Sequence, residues 1–209
     1  MDFLTNTNIQ FYIISYLIGA IPFGLILTKK FTNVDIQKNG SKSIGATNVL
    51  RVIKIKNKKL AKKLSIATLV LDTLKGMSIL IIALLINLDY NTLWTIGILS
   101  ILGHCYSIYI GFEGGKGVAT GLGVLLILIP IPTLISIVSW IIFAKTIKIS
   151  SISSILSLIV LVIASHILDN ISIQNIESFA PLYIITFVII YKHLPNIVRL
   201  INKKEEKVI

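Results

Sequence analysis

Six stretches of this chain carry almost no charge, at residues 3–28, 64–88, 90–112, 118–144, 149–168 and 178–191. A helix needs roughly 20 predominantly apolar residues to cross about 30 Å of hydrocarbon. Runs of this length leave little choice but a polytopic membrane protein. Composition agrees: 14% of side chains are charged and the mean hydropathy is +0.88, against about 25% charged in soluble domains. It excludes a cytosolic protein, a disordered chain, a disulfide scaffold (Cys105 is the lone cysteine) and a basic soluble nucleic-acid binder.

The first run is not a removable signal, which would begin with a basic segment and end at a small-residue cleavage site. Asp2 is the one charged side chain before Lys29, so 3–28 reads as a retained helix. The run 118–144 contains Pro130 and Pro132; proline lacks an amide donor and breaks helices, which splits the run into helices over 118–130 and 133–145. The expectation is an all-α bundle of about seven transmembrane helices in a single domain, residues 1–209. Five helices plus a re-entrant hairpin is the alternative. Both counts are odd and put the termini on opposite sides.

Lys and Arg near span ends stay in the cytoplasm. Residues 29–63 hold eleven of the twenty basic side chains, Lys116 lies in the 112–117 turn, Lys145 and Lys148 flank the 145–149 turn, and five more follow residue 191. The connections near Asp89, Pro130–Pro132 and Asp169–Glu177 hold none. The N-terminus is therefore expected outside and the C-terminus in the cytoplasm. The net charge of +11 is this cytoplasmic shell, including the Lys54–Lys63 cluster, set against anionic headgroups. It calls for membrane lipids as partners and for no nucleic acid.

Four polar or glycine-rich segments fall on that cytoplasmic side: Asn39–Arg51, Gly103–Thr120, Lys148–Ser154 and Tyr191–Leu200. They supply backbone amides at Gly40, Gly45, Gly114, Gly115 and Gly117, hydroxyls at Ser41, Thr47 and Ser151, and cations at Arg51 and Lys116. Amides in glycine-rich turns at helix starts cradle anions, and fixed cations complete such sites. The segments point to phosphate or carboxylate. A nucleotide P-loop fails, because Ile110 stands where its first glycine belongs and Gly117 where Ser or Thr should follow the lysine. The dinucleotide fingerprint fails at Ser41–Lys42. Cys105 reads as a small buried hydrophobe, and His166, in an apolar run, as structural. No His pair has metal-ligand spacing, and neither a metal nor a cofactor is expected. Asp72 and Lys75 stand three apart on one helix and can pair, as a functional couple or as a structural lock.

In this order and at these spacings the segments resemble the acyl-phosphate:glycerol-3-phosphate acyltransferase family (PlsY). The resemblance rests on GAIPFG (Gly19–Gly24), GSKSIGATNVLR (Gly40–Arg51), LDTLKG (Leu71–Gly76), GH at Gly103–His104, GFEGGKGVAT (Gly111–Thr120), SSIS (Ser150–Ser153) and HLPNIVRL (His193–Leu200). It implies an enzyme of the bacterial cytoplasmic membrane with its active site facing the cytoplasm. That enzyme moves the acyl group of acyl phosphate to the first hydroxyl of glycerol 3-phosphate, the entry step of phospholipid synthesis. The soluble enzyme that makes acyl phosphate is a candidate partner. By the resemblance, Ser41, Arg51, Lys116 and Ser151 bind substrate phosphate together with Gly45, Thr47, Asn48, Gly114, Gly115 and Gly117, while His193, Asn196 and Lys116 are catalytic. The family's GSGN stands here as Gly40-Ser41-Lys42-Ser43, and the lysine before its GGK is Glu113. Either His193 takes the hydroxyl proton, or a substrate phosphate oxygen does while His193 and Asn196 orient the glycerol. The rival from another class is a transporter of a phosphorylated or other anionic small molecule. Such proteins show internal repeats and midplane sites, and here no repeat is evident.

Overall fold

A computed structural model describes residues 5–168 and 178–207. Among these residues all regular structure is helical. The expected outer loop at 169–177 lies outside the described residues. The chain divides into two compact units, 1–124 and 125–209.

The first unit contains α1 (Thr7–Ala20), α2 (Phe23–Thr32), α3 (Ala46–Lys54), α4 (Lys58–Leu85), α5 (Tyr90–Cys105), a 3-10 turn (Ile108–Ile110) and the start of α6 (Val118–Leu128). The apolar run at 3–28, read as one helix, is broken at Ile21–Pro22 into α1 and α2. Pro22 has no amide to continue the ladder. In lipid, the carbonyls freed by such a break need partners from elsewhere in the protein. They find them: Ser107 Oγ donates to the Ala20 carbonyl at 2.6 Å, and Lys75 Nζ donates to the Ile21 carbonyl at 2.9 Å.

Helix–helix contact in this unit runs through glycines. A Cβ on Gly19 would strike the backbone of Ser100, and one on Gly103 the backbone of Tyr16, so α1 and α5 meet main chain to main chain. Gly76 on α4 faces Thr120, and Gly123 on α6 faces Thr73. Small residues of this kind let membrane helices approach closely where hydrophobicity alone gives no preference for protein over lipid. α3 lies on a small core formed by Leu25, Ile36, Ile44, Val49, Ile53, Ala61 and Leu64.

The second unit contains the end of α6, α7 (Pro130–Ile147), α8 (Ser150–Ile167), α9 (Ala180–Lys192) and α10 (Leu194–Ile201). The proline break predicted in 118–144 is present, but α7 takes both prolines into its first turn, where no amide donor is needed. α6 therefore ends at Leu128 and has 11 residues, roughly 16 Å of rise. α8 turns a serine-rich face inward, with Ser151, Ser153, Ser154, Ser157 and Ser165 buried. Trp140 Nε1 donates to Ser154 Oγ and Ser136 Oγ donates to the Ser157 carbonyl, tying α7 to α8. His166, expected to be structural, has ring nitrogens 2.9 Å from the Val162 carbonyl and 2.7 Å from the Tyr183 hydroxyl and stacks on Phe179.

Among the described residues five helical stretches are long and apolar enough to cross a membrane, and a sixth arises if α9 and α10, bent by 49°, count as one. Against the seven expected spans, α6 falls short, and α9 reaches spanning length only when joined to α10. Pro195 in the first turn of α10 accounts for the bend after His193.

Candidate active site

The first group of expected site residues is built by a loop and the helix it enters. The loop from Ile36 to Ser43 folds around the Asn48 side chain. Asn48 Nδ2 lies 3.1, 3.1 and 2.8 Å from the carbonyls of Ile36, Asn39 and Ser43, and Oδ1 accepts from the Ser41 amide at 2.8 Å. Asn48 is buried, so its amide holds the loop and is not presented to a ligand. Gly40 and Lys42 adopt left-handed backbone at φ 61° each. A side chain on Gly40 would collide with Asn48 Oδ1. Ser41 is thereby fixed within the loop and half-buried, with Arg51 on the following helix also half-buried. Gly45 precedes α3 with ordinary backbone angles, and Ser43 Oγ, at 3.8 Å, is the sole atom near its absent Cβ. Neither strain nor packing demands glycine there. Its bareness leaves space beside the start of α3, where Thr47 sits.

The second group is the GGKG turn. Ile110, just before it, packs on the core beneath α3, which brings this turn to the same end of the unit as the Ser41 loop. Gly114 and Gly115, expected to offer bare amides to an anion, also let the turn lie on the end of α5: a Cβ on Gly114 would meet the backbone of His104 and Cys105, and one on Gly115 the His104 ring. The Gly115 amide donates to the His104 carbonyl at 3.0 Å, so it is committed inward. Gly117, at φ 83°, turns the chain into α6. Lys116 is half-buried between the two.

The third group lies in the second unit. Ser151, in the first turn of α8, and Asn196 on α10 are brought together by a residue that sequence reasoning missed, Glu205. Ser151 Oγ donates to Glu205 Oε1 at 3.2 Å, Asn196 Nδ2 donates to the same oxygen at 2.7 Å, and Arg199 Nε donates to Oε2 at 2.6 Å. Glu205 is only 4% exposed in its side chain. Donation to a carboxylate fixes the Asn196 amide and leaves its Oδ1 as a buried acceptor with no partner among the described residues. His193 is 2% exposed, and its Nδ1 lies 2.7 Å from the Ile189 carbonyl. A carbonyl only accepts, so Nδ1 carries a proton, and in the neutral ring Nε2 is then the acceptor nitrogen. No nearby carboxylate was evident in the sequence to set this tautomer; a main-chain carbonyl one helical turn back does so. The signal for Glu205 was a pair of acids, Glu205 and Glu206, within the run Lys203–Lys207, which alone reads as a solvated tail.

These groups can be set beside known proteins. The model of the glycerol-3-phosphate acyltransferase family matches residues 9–203. The chain is 60% identical over 209 residues to the glycerol-3-phosphate acyltransferase of Aliarcobacter butzleri, covering all of both chains. It is 59% identical over 208 residues to that of Nitratiruptor sp., covering 100% of this chain and 99% of the relative. Among solved structures it resembles PlsY (YgiH), described as an integral membrane glycerol 3-phosphate acyltransferase, in its glycerol 3-phosphate form. The TM-score is 0.82 at 32% identity, with 97% of this chain and 96% of the other covered. The lysophosphatidic acid form of the same protein gives 0.81 at 32% identity, covering 97% and 95%. With motifs, helical fold and full-length likeness in agreement, this chain belongs to the glycerol-3-phosphate acyltransferase family of integral membrane enzymes.

Proposed function

We propose that the chain transfers the acyl group of an acyl phosphate to the sn-1 hydroxyl of glycerol 3-phosphate, giving 1-acyl-sn-glycerol 3-phosphate and inorganic phosphate, at the cytoplasmic face of a bacterial inner membrane. The observation that carries this reading is the end-to-end likeness to a protein solved in glycerol 3-phosphate and lysophosphatidic acid forms, which correspond to acceptor and product. Acyl phosphate as donor follows from the motif resemblance, with the soluble enzyme that makes it as the supplier. Because the family match runs from 9 to 203, through both compact units, residues 1–209 are read as one acyltransferase domain.

The residues divide the labour as follows. Ser41, Arg51 and Lys116, with the start of α3 at Thr47, neutralise substrate phosphate. Asn196 Oδ1, buried and unpartnered, accepts from a glycerol hydroxyl, and the His193 Nε2 lone pair does the same for the hydroxyl that reacts. Ser151 Oγ donates to Glu205 and belongs to the same polar cluster. An acyl phosphate is already activated, so no acyl-enzyme is needed: the hydroxyl oxygen bonds to the carbonyl carbon, the bond from that carbon to the bridging phosphate oxygen breaks, and phosphate departs with the electron pair and the hydroxyl proton. Positioning and charge neutralisation supply the acceleration.

The test uses purified full-length protein in detergent, without vesicles. One phosphate released per lysophosphatidic acid formed, dependent on glycerol 3-phosphate, is the expected result. Transport of an anion in proteoliposomes with no turnover in detergent would replace the enzyme by a transporter. An equal rate with an acyl thioester would remove acyl phosphate as the specific donor.

A further inference from the structure

Asp72 and Lys75 lie in the membrane-crossing part of α4, and each side chain is 2% exposed. Charge buried in hydrocarbon is costly and needs partners. Lys75 Nζ lies 2.8 Å from Asp72 Oδ1, 2.9 Å from the Ile21 carbonyl and 2.9 Å from His104 Nδ1. The ammonium thus meets the carboxylate as an ion pair and hydrogen-bonds to the carbonyl and to the ring nitrogen. Since Lys75 can only donate, His104 Nδ1 accepts, and the ring proton resides on Nε2. That opposite edge of the ring, Nε2 and Cε1, is what a Cβ on Gly115 would overlap. The main chain repeats the link through the Gly115 amide and the His104 carbonyl. Downstream of the turn, α6 is seated on the same helix as Asp72 and Lys75, with Gly76 against Thr120 and Gly123 against Thr73. Lys116 is thus anchored on both sides to structure that the buried ion pair organises.

We propose that Asp72, Lys75 and His104 are positioning residues for Lys116: the ion pair orients the His104 ring, and the ring's far edge is the bed that sets the height of the GGKG turn. None of the three touches substrate. The inference rests on the reading that Lys116 takes substrate phosphate, and adds to it the device that places the ammonium. A purely structural role, closing the break at Ile21, makes a different prediction, because His104 contributes to it only through Nδ1.

Asparagine separates the two roles. Its side chain offers an acceptor where Nδ1 stands but lacks the far edge of the ring. The kinetic constants for glycerol 3-phosphate and the melting temperature are measured on the full chain in detergent for Lys116→Ala, His104→Ala, His104→Asn and the His104→Asn/Lys116→Ala pair. Lys116→Ala is expected to lower kcat/KM about 30-fold or more. His104→Ala and His104→Asn are expected to raise KM about tenfold, with His104→Asn recovering the melting temperature that His104→Ala loses. The double variant should be no worse than Lys116→Ala alone, as for two residues acting through one group. Wild-type KM in His104→Asn, or additive losses in the double variant, would overturn the positioning role while leaving Lys116 as a phosphate ligand. A silent Lys116→Ala would remove that ligand and the inference with it. If His104→Ala does not fold, His104→Asn decides alone.

Discussion

Asn48 and His193 are both buried polar side chains near the ends of helices, and their hydrogen bonds assign them different work. Asn48 makes four bonds to the loop that presents Ser41. Asn48→Ala would take from the Ser43 carbonyl and the Ser41 amide the partner they have here, at about 1–3 kcal/mol for each group that water cannot reach, while the Ile36 and Asn39 carbonyls keep the amides of Asn39 and Lys42. The expected outcome is a lower melting temperature together with a raised KM for glycerol 3-phosphate. Asn48→Asp keeps the acceptor for Ser41 but not the donors, and should recover little of the melting temperature. His193 presents Nε2 as an acceptor. If it orients the hydroxyl, His193→Gln should retain turnover with a raised KM, and the acidic limb of the pH–rate profile should persist at the substrate phosphate's own pKa. Loss of turnover by about 10²–10⁴-fold with unchanged binding would make His193 the general base instead. Glycine and polar context in the sequence located the Ser41 loop, but could not tell Asn48 the loop hub from Asn48 the ligand. Both roles need a small amide beside glycines. Glu205 was invisible for a different reason: it reaches Ser151 across 54 positions, and no periodicity spans that interval.

At the scale of elements, the bilayer made the long helices legible, because their length and lack of charge follow from hydrocarbon thickness. Pro130 and Pro132 announced a break, yet Pro22 broke the first run unannounced, since whether a proline kinks or ends a membrane helix depends on who satisfies the freed carbonyls. Here the answer lay with Lys75 and Ser107. Helix starts were partly legible too. Asp89 caps α5, accepting from the Thr92 amide at 2.9 Å and the Thr92 hydroxyl at 2.5 Å. These bonds, the hydroxyl's first, hold its carboxyl below the ordinary value. A carboxylate lowered on folding stabilises the folded state above its unfolded pKa, about 3.9, and loses that contribution as pH falls toward the folded value. Melting curves should therefore show wild type losing its advantage over Asp89→Ala below about pH 4, with the two clearly separated at neutral pH. A gap that stays constant down to acid pH would mean that the carboxylate does not cap α5.

Over the whole molecule, the distribution of basic residues sets the orientation we propose. Nineteen of the twenty Lys and Arg lie in the segments assigned to the cytoplasm. Cysteines introduced at Asn87, beside the α4–α5 turn, should react with an impermeant thiol reagent in intact cells, whereas cysteines at Lys58 and Lys204 should react only after lysis. Cys105 is fully buried and should give no background. Labelling of Lys58→Cys from outside would invert the topology and the side of catalysis. The break in the first run has one more consequence, for biogenesis. Membrane proteins are threaded into the bilayer from the N-terminus as they are synthesised, so α1 and α2 arrive before the groups that close them. The Ile21 carbonyl waits 54 residues for Lys75, and the Ala20 carbonyl 87 residues for Ser107. Until then the nascent span holds the Ala20 carbonyl without Ser107 and the Ile21 carbonyl with the Phe23 amide alone, a break that water, headgroups or an insertase can serve. Its first span becomes native only when the third has been delivered.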